Sequence, residues 1–416
     1  MHWTADSVRK QYSRFLDKYP HKLFANHSHQ AWPNVARFGL LKCFDLAAET
    51  HGDKWAEVEL TRKKLQAWVS KRIGNSSYGG AKGVLWGQNT FDLLTRFLSS
   101  LDLKRGDYIV TTDTEFHSMR RLLDRLSEEG IEVLRADTWT ASEAFEGQTG
   151  KDFFSRLDQE LRKVPQGKLK AVMFSSVSFH TGNLVPNFDE GLEKLLAMNV
   201  PIVVDLYHHI GPKTFSVPSK NQDNLYLLGG GYKYLQMGEG ACWMRTPEHT
   251  ELRPVITGWF AEFEELTESK DNLVSYPEGA ARFMGATYEP ASILRAWEVA
   301  QFFDGIGFTN ESLEKKYTKD VSYLHHRLQG ILDRIPNERK AAYELFMLSH
   351  KDENLRAGFL SLHSSLSGEL HKFLLDSGFE TDYRSTVIRF GPAPYTLKLE
   401  MDHLMDKVSE FFDGRL

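Results

Sequence analysis

Cysteine is nearly absent: the 416 residues include two, Cys43 and Cys242. A single pair cannot build a disulfide framework, so a reducing compartment, the cytoplasm, is expected. No apolar run approaches the roughly 18 to 20 residues that span a bilayer. The nearest, Val200 to Val204, has the length of a buried strand. Positive charge is not in excess either: 51 Lys and Arg stand against 56 Asp and Glu, a net charge of −5. That balance argues against a general binder of nucleic acid or of anionic membranes. The opening stretch, Met1 to Pro20, is polar and helical in character, unlike a signal peptide. The Asn-x-Ser patterns at Asn26, Asn75 and Asn310 therefore carry no meaning as glycosylation sites.

Several signatures of known chemistry are also missing. There is no G-x-x-x-x-G-K-[ST] loop, no G-x-G-x-x-G fingerprint and no G-x-S-x-G elbow. Histidines cluster at His27/His29, His208/His209 and His325/His326, but without carboxylate or cysteine companions at zinc-site spacing. No metal site is expected. Internal repeats and low-complexity tracts are absent too.

What remains is an ordinary globular composition, 41% apolar and 26% charged. At roughly 150 residues per domain, two or three units are expected. Helical spacing of apolar residues marks Ser7–Leu16, Val35–Ala47 and Trp55–Ile73. The rhythm then changes to short apolar runs at Gly83–Trp86, Tyr108–Thr112, Ile131–Leu134, Ala171–Phe174, Pro201–Asp205, Leu225–Leu228 and Ala241–Met244. Amphipathic stretches separate the earlier ones: Phe91–Leu101, Ser118–Glu129, Lys151–Lys163 and Phe188–Met198. That alternation predicts an α/β unit with a mostly parallel sheet covered on both faces. No crossover helix fits between Leu225 and Met244, which allows an antiparallel neighbour there. From Leu294 onward, long helical runs with short strands at Phe359–His363 and Val387–Phe390 predict a smaller α+β unit. The expected division is a large domain over 60–293 and a small one made of 1–59 and 294–416.

Three segments carry chemistry. In Leu228-Gly229-Gly230-Gly231-Tyr232-Lys233-Tyr234 a buried strand runs into three glycines and a lysine between two tyrosines. The lysine is either an ordinary solvated one or an amine held in a partly apolar pocket. Desolvation there favours the neutral, nucleophilic form, able to make a Schiff base. The glycines would then bring backbone close to a ligand. Pro201–Asp205 delivers a carboxylate to the carboxyl end of a strand, where ligands bind in open α/β sheets. Asp205 is either a cap for the next segment or the partner of a cationic ring nitrogen, as pyridoxal chemistry needs. Gly87-Gln88-Asn89-Thr90 opens a helix, and serves either as a plain cap or as a phosphate cradle.

Taken in order, these blocks resemble kynureninase, within the class V aminotransferase group of fold-type I pyridoxal-phosphate enzymes. The resemblance rests on Tyr232-Lys233-Tyr234-Leu235, Gly238-Glu239-Gly240-Ala241, Arg253-Pro254 with Gly258-Trp259, Asp205-Leu206-Tyr207-His208, and Ile388 to Tyr395. It spans nearly the whole chain, from Asn26-His27-Ser28 onward. It implies pyridoxal 5'-phosphate joined to Lys233, which later moves the Cα proton. It further implies Asp205 on the pyridinium nitrogen, His208 near the phenolic oxygen, and Phe116 stacked on the ring. Asn89, Thr90 and Tyr232 would hold the phosphate, with Thr287 reaching it across a homodimer interface. Arg389 would clamp the substrate carboxylate. Trp259, His51, Trp55 and Ser28 would complete the substrate side of the pocket.

The sequence also departs from that family. Its Phe-Pro-[Ser/Thr]-Asp stretch is replaced by Phe116-His117-Ser118-Met119, and an Asn-Tyr-Arg-Thr-Gly stretch by Ser178-Phe179-His180-Thr181-Gly182. Segments ending in Pro-Pro become Thr287-Tyr288-Glu289-Pro290. The reaction implied first is hydrolytic Cβ–Cγ cleavage of an aryl-keto amino acid to alanine and an aryl acid. Transamination and β-elimination are the alternatives, followed by a non-catalytic scaffold. Desulfuration is disfavoured, because that chemistry in this family needs a late loop cysteine and none follows Cys242.

Overall fold

A computed structural model of the chain describes residues 3–74, 80–220, 222–265 and 273–415. The Asn75 pattern lies outside them. Seven strands form the central sheet: β1 (Val84–Gly87), β2 (Tyr108–Thr112), β3 (Glu132–Ala136), β4 (Leu169–Ser175), β5 (Ile202–Asp205), β6 (Leu225–Gly230) and β7 (Cys242–Arg245). Their order is β1-β7-β6-β5-β4-β2-β3. The pairs from β3 through β6 are parallel, and β7 runs antiparallel to both β6 and β1. The interval without a crossover helix is thus where the chain reverses.

Side-chain alternation along these strands feeds two cores. Val110, Val172, Phe174, Val204 and Leu227 enter one. Ile109, Met173, Val203, Tyr226 and Leu228 enter the other. Being buried on both faces, the strands read as continuous apolar runs rather than alternating ones.

Helices α1 (Ala36–Thr50) and α2 (Lys54–Arg72) precede the sheet, and α3 (Thr90–Ser99), α4 (His117–Glu128), α5 (Phe153–Leu161) and α6 (Phe188–Leu196) cross between its strands. Beyond it come α7 (Ala291–Ile306) and α8 (Asn310–Arg334). Gly39 lets α1 lie tight against α7, since a Cβ there would fall 2.4 Å from the Arg295 Cα. The expected helix at Ser7–Leu16 is instead broken into Ala5–Arg9, a 3-10 turn at Lys10–Tyr12 and Ser13–Leu16. The break buries Tyr12 against Tyr395, with ring centroids 4.5 Å apart.

A third core gathers Leu324 and Leu328 of α8 with Leu360, Leu370, Phe390 and Leu404. It includes a four-stranded antiparallel sheet, β8 (Phe346–Met347), β9 (Leu360–His363), β10 (Asp382–Arg384) and β11 (Val387–Phe390), in the order β10-β11-β9-β8. Helices α9 (Ser367–Asp376) and α10 (Lys398–Asp413) cover it. No helix among the described residues is long and apolar enough to cross a membrane.

Candidate active site

The carboxyl ends of four neighbouring strands bring the polar residues of the large sheet together. Thr112 ends β2, Ser175 ends β4, Asp205 ends β5, and Gly230 ends β6 immediately before the turn that carries Lys233. This is the edge where open α/β sheets bind ligands. A cleft there is lined by Lys233, Asp205, His208, Tyr232, Phe116 and Thr90, together with Ser175, Val177, Phe179 and Tyr207.

Lys233 is fixed by its turn. The Gln236 N–H donates to the Lys233 carbonyl at 2.9 Å, and the Met237 N–H to that of Gly231 at 2.7 Å. The side chain is 6% exposed, and its Nζ lies 2.7 Å from His208 Nε2. Nζ also sits over two rings, 5.4 Å from the centroid of Phe116 and 5.6 Å from that of Tyr207. Burial brings the amine down to about 7, against the opposing pull of Asp205. Asp205 shows the mirror effect. Burial lifts its carboxyl to about 6, while the Tyr207 N–H, donating to Oδ1 at 2.8 Å, and Lys233 draw it down. His208 is held neutral, first by burial and then by Lys233, and its Nδ1 is buried without a partner among the described residues.

The three glycines before Lys233 have a different purpose from the one expected. None has positive φ. A Cβ at Gly229 would fall 2.1 Å from the Trp243 ring, one at Gly230 1.9 Å from Tyr207, and one at Gly231 2.5 Å from the Ala241 carbonyl. They make room for protein rings and backbone, and the tyrosine so admitted forms a wall of the cleft.

Asn89 and Thr90 part company. Asn89 caps α3, its side chain accepting from the Asp92 N–H at 2.8 Å, and it lines a second, larger cavity shared with Gln88 and Thr287. Thr90 faces the Lys233 cleft, its hydroxyl donating to the Tyr207 hydroxyl at 2.5 Å, which in turn donates to Cys242 Sγ at 3.0 Å. Burial raises that thiol to about 12, so it is inert.

The remaining predicted residues are spread wider. Trp55 and Trp259 both meet Phe260, at 6.3 and 4.3 Å between ring centroids, and Trp55 also meets Tyr288 at 5.5 Å. His51 is exposed on a 3-10 turn and lines neither cavity. Ser28 is half-buried in the segment whose Gln30 N–H donates to the Tyr232 carbonyl. Arg389 is buried in β11, ion-paired to Asp382, and its Nη1 donates to the Phe179 carbonyl at 2.6 Å.

Four neighbours went unassigned from sequence: Tyr207, Glu115, Ser175 and Asp382. Glu115 bridges two strand ends, accepting from Ser175 Oγ at 2.6 Å and from Thr112 Oγ1 at 2.5 Å. Burial raises it to about 7 despite those bonds. Its position just past the end of β2 was a readable signal. For Asp382 there was none, because β10 is three residues long and only its register with β11 gives it meaning.

The chain matches no family model and no curated protein sequence. Solved structures do resemble it. A mutant of the cystine C–S lyase C-DES, with glycine covalently linked to its PLP cofactor, matches at TM-score 0.78 and 16% identity, covering 97% of this chain and 99% of that one. The apo cysteine desulfurase of Thermococcus onnurineus NA1 matches at 0.77 and 16%, and the cysteine desulfurase CsdA of Escherichia coli at 0.76 and 12%, each covering 99% of both chains. None of these comparisons supports the kynureninase-like subtype. At such identities the likeness is one of architecture, and the chain has the α/β fold of the class V cysteine desulfurases.

Proposed function

We propose that this chain is a pyridoxal-5'-phosphate-dependent enzyme acting on an amino acid, cleaving its side chain by kynureninase-type hydrolysis of the Cβ–Cγ bond. One observation carries the cofactor reading: a buried amine held near neutrality shares a cleft with a buried carboxylate and an unpartnered imidazole nitrogen. A lysine without that purpose is rarely kept in such surroundings. The residues fit the cofactor. Lys233 would join its aldehyde, Asp205 would meet the ring nitrogen and His208 its phenolic oxygen. Phe116 would cover the ring, and Thr90, Tyr232 and the N-terminus of α3 would take the phosphate. Asn89 would add to that cradle, and Thr287, which lines the larger cavity, would reach the phosphate across a homodimer interface. When bound, the cofactor supplies an electron sink for carbanion chemistry at Cα.

The protein's own part is positioning and proton handling. With an amine near 7, about half of Lys233 is uncharged at neutral pH, able both to attack a carbonyl and to take a proton from Cα. Asp205, ionised above about 6, places its negative charge where a ring nitrogen is to stay protonated. Trp55, Trp259, Phe260 and Tyr288 form an aromatic cluster of the kind that suits an aryl side chain, but none of the four lines the Lys233 cleft.

Incubation of loaded protein with kynurenine or 3-hydroxykynurenine tests the reaction: release of alanine with an anthranilate supports it, and an unperturbed cofactor spectrum refutes it. A β-elimination is the second reading, supported by the likeness to a C–S lyase. It would be seen as keto-acid release from cystine. Neither cysteine suits a persulfide carrier, Cys242 being buried and the thiol of half-buried Cys43 raised by burial. A cytoplasmic setting agrees with two free cysteines.

The same reading includes a domain division at residues 60 and 293 and a homodimer with shared sites. The third core supports a small domain from Val321 to Phe412, while Trp3, Tyr12, Ala36, Ala296 and Tyr317 share the first core with the large sheet. Exposed Phe38, Leu40, Leu41 and Phe44 on α1 support the dimer. Sedimentation of the loaded protein tests the latter.

A further inference from the structure

Arg389 and Asp382 are direct cross-strand partners in the β10–β11 ladder, and their side chains form an ion pair. The rest of the guanidinium is shut off from solvent. Nη1 donates to the Phe179 carbonyl, Nε is buried without a partner among the described residues, and only 5% of the side chain is exposed. No edge of the fork is turned to solvent for a ligand carboxylate to dock bidentately. Yet the pair borders the Lys233 cleft. Phe179, which Arg389 holds, lines that cleft edge-to-face with Phe116 at 5.7 Å.

Asp382 has other partners close by. His27 Nε2 lies 3.3 Å from Oδ2, and Arg384 Nε 3.7 Å from Oδ1 with Arg384 more than half exposed. A carboxylate leaving Arg389 would thus keep polar company, and an incoming anion on the fork would keep the buried Arg389 charge paired.

We propose that Asp382 is an internal competitor for Arg389, a specificity-determining residue that makes a substrate's α-carboxylate displace a resident one before it is clamped. The inference rests on the amino-acid reading above and deepens it. Its consequence is that the carboxylate adds little net affinity, so the site discriminates weakly between an amino acid and the matching decarboxylated amine.

The test pairs L-kynurenine with kynuramine and L-cysteine with cysteamine, titrated into cofactor-loaded protein through the cofactor's visible band. In the wild type the two members of a pair should bind within about threefold of each other. In Asp382→Asn, which keeps the shape and removes the charge, the preference for the amino acid should rise at least about tenfold, the size of one charge-assisted hydrogen bond. A second arm needs no cofactor. Acetate, against a chloride control, should raise the melting temperature of apo Asp382→Asn and leave apo wild type unmoved.

An unchanged preference in the variant, or equal stabilisation of both proteins by acetate, overturns the proposal. Should the variant not fold, wild type decides alone: an amino-acid preference beyond about a hundredfold overturns it, and near-equal binding supports it. If no pair perturbs the cofactor band, the proposed function has failed, while the acetate arm still decides the competition.

Discussion

The two sides of the Lys233 cleft are built on different principles. On the side proposed to hold the cofactor, Lys233, Asp205, His208 and Thr90 stand at the ends of strands or on the turns that follow them. Their charges are compensated only in part: burial brings the amine down to about 7 and lifts the carboxyl to about 6, against the pull of each on the other. On the side proposed to receive the substrate, Arg389 and Asp382 satisfy one another. Burial alone would raise Asp382, but His27 and then Arg389 hold it well below the usual carboxylate range. One half is poised for a ligand, whereas the other must exchange a partner to receive one. Groups left strained by burial mark chemistry, whereas a closed ion pair marks selection.

The largest effect should come from the poised half. Lys233→Ala is expected to lower turnover by about 10³-fold or more and to abolish covalent retention of cofactor through denaturation, read by chromatography of the unfolded protein. Asp205→Asn should keep the attachment and lower turnover by about 10²-fold, with KM less affected, in steady-state kinetics. If it instead lost no more than a surface substitution does, the contrast between the halves would dissolve.

The wall between the halves is the next target. Gly230→Ala places a methyl 1.9 Å from the Tyr207 ring, and denaturant unfolding should show a loss of about 3 kcal/mol. Trp259→Ala should raise KM for an aryl substrate by about two- to tenfold with little change in kcat, since the ring is 43% exposed and touches Phe260.

A further effect is in pH. Unfolding returns Lys233 from about 7 to its ordinary value near 10.5, so the unfolded apoprotein binds more protons between those pH values. Stability should therefore rise from pH 7 towards 10 on this account. Asp205 acts in a separate window, lowering stability as pH rises from about 4 to 6. Melting curves of apo wild type and Lys233→Met should diverge in slope above pH 7.

The cofactor half was legible because it is local. A strand ending in a carboxylate and a strand ending in glycines before a lysine are written in contiguous residues, and β2 and β11 fall on their expected bounds. The antiparallel β7 was readable from the missing crossover. The substrate half was not, since Asp382 meets Arg389 only through a turn at Ser385, in the left-handed region at φ 52, and a three-residue strand that no periodicity announces. The glycine run was misread for a related reason: what it accommodates, Trp243 and Tyr207, lies elsewhere in the chain. Tyr207 sat inside a quoted motif and still gave no hint that it would bond to Thr90.

Borohydride reduction of the pyridoxal-phosphate-loaded protein, followed by peptide mapping, tests the central claim most directly. The account predicts a single tagged peptide containing Lys233, and no tag when Asp205 is intact but Lys233 is replaced by alanine. A tag on another lysine, or protein that takes up no cofactor at all, would contradict it.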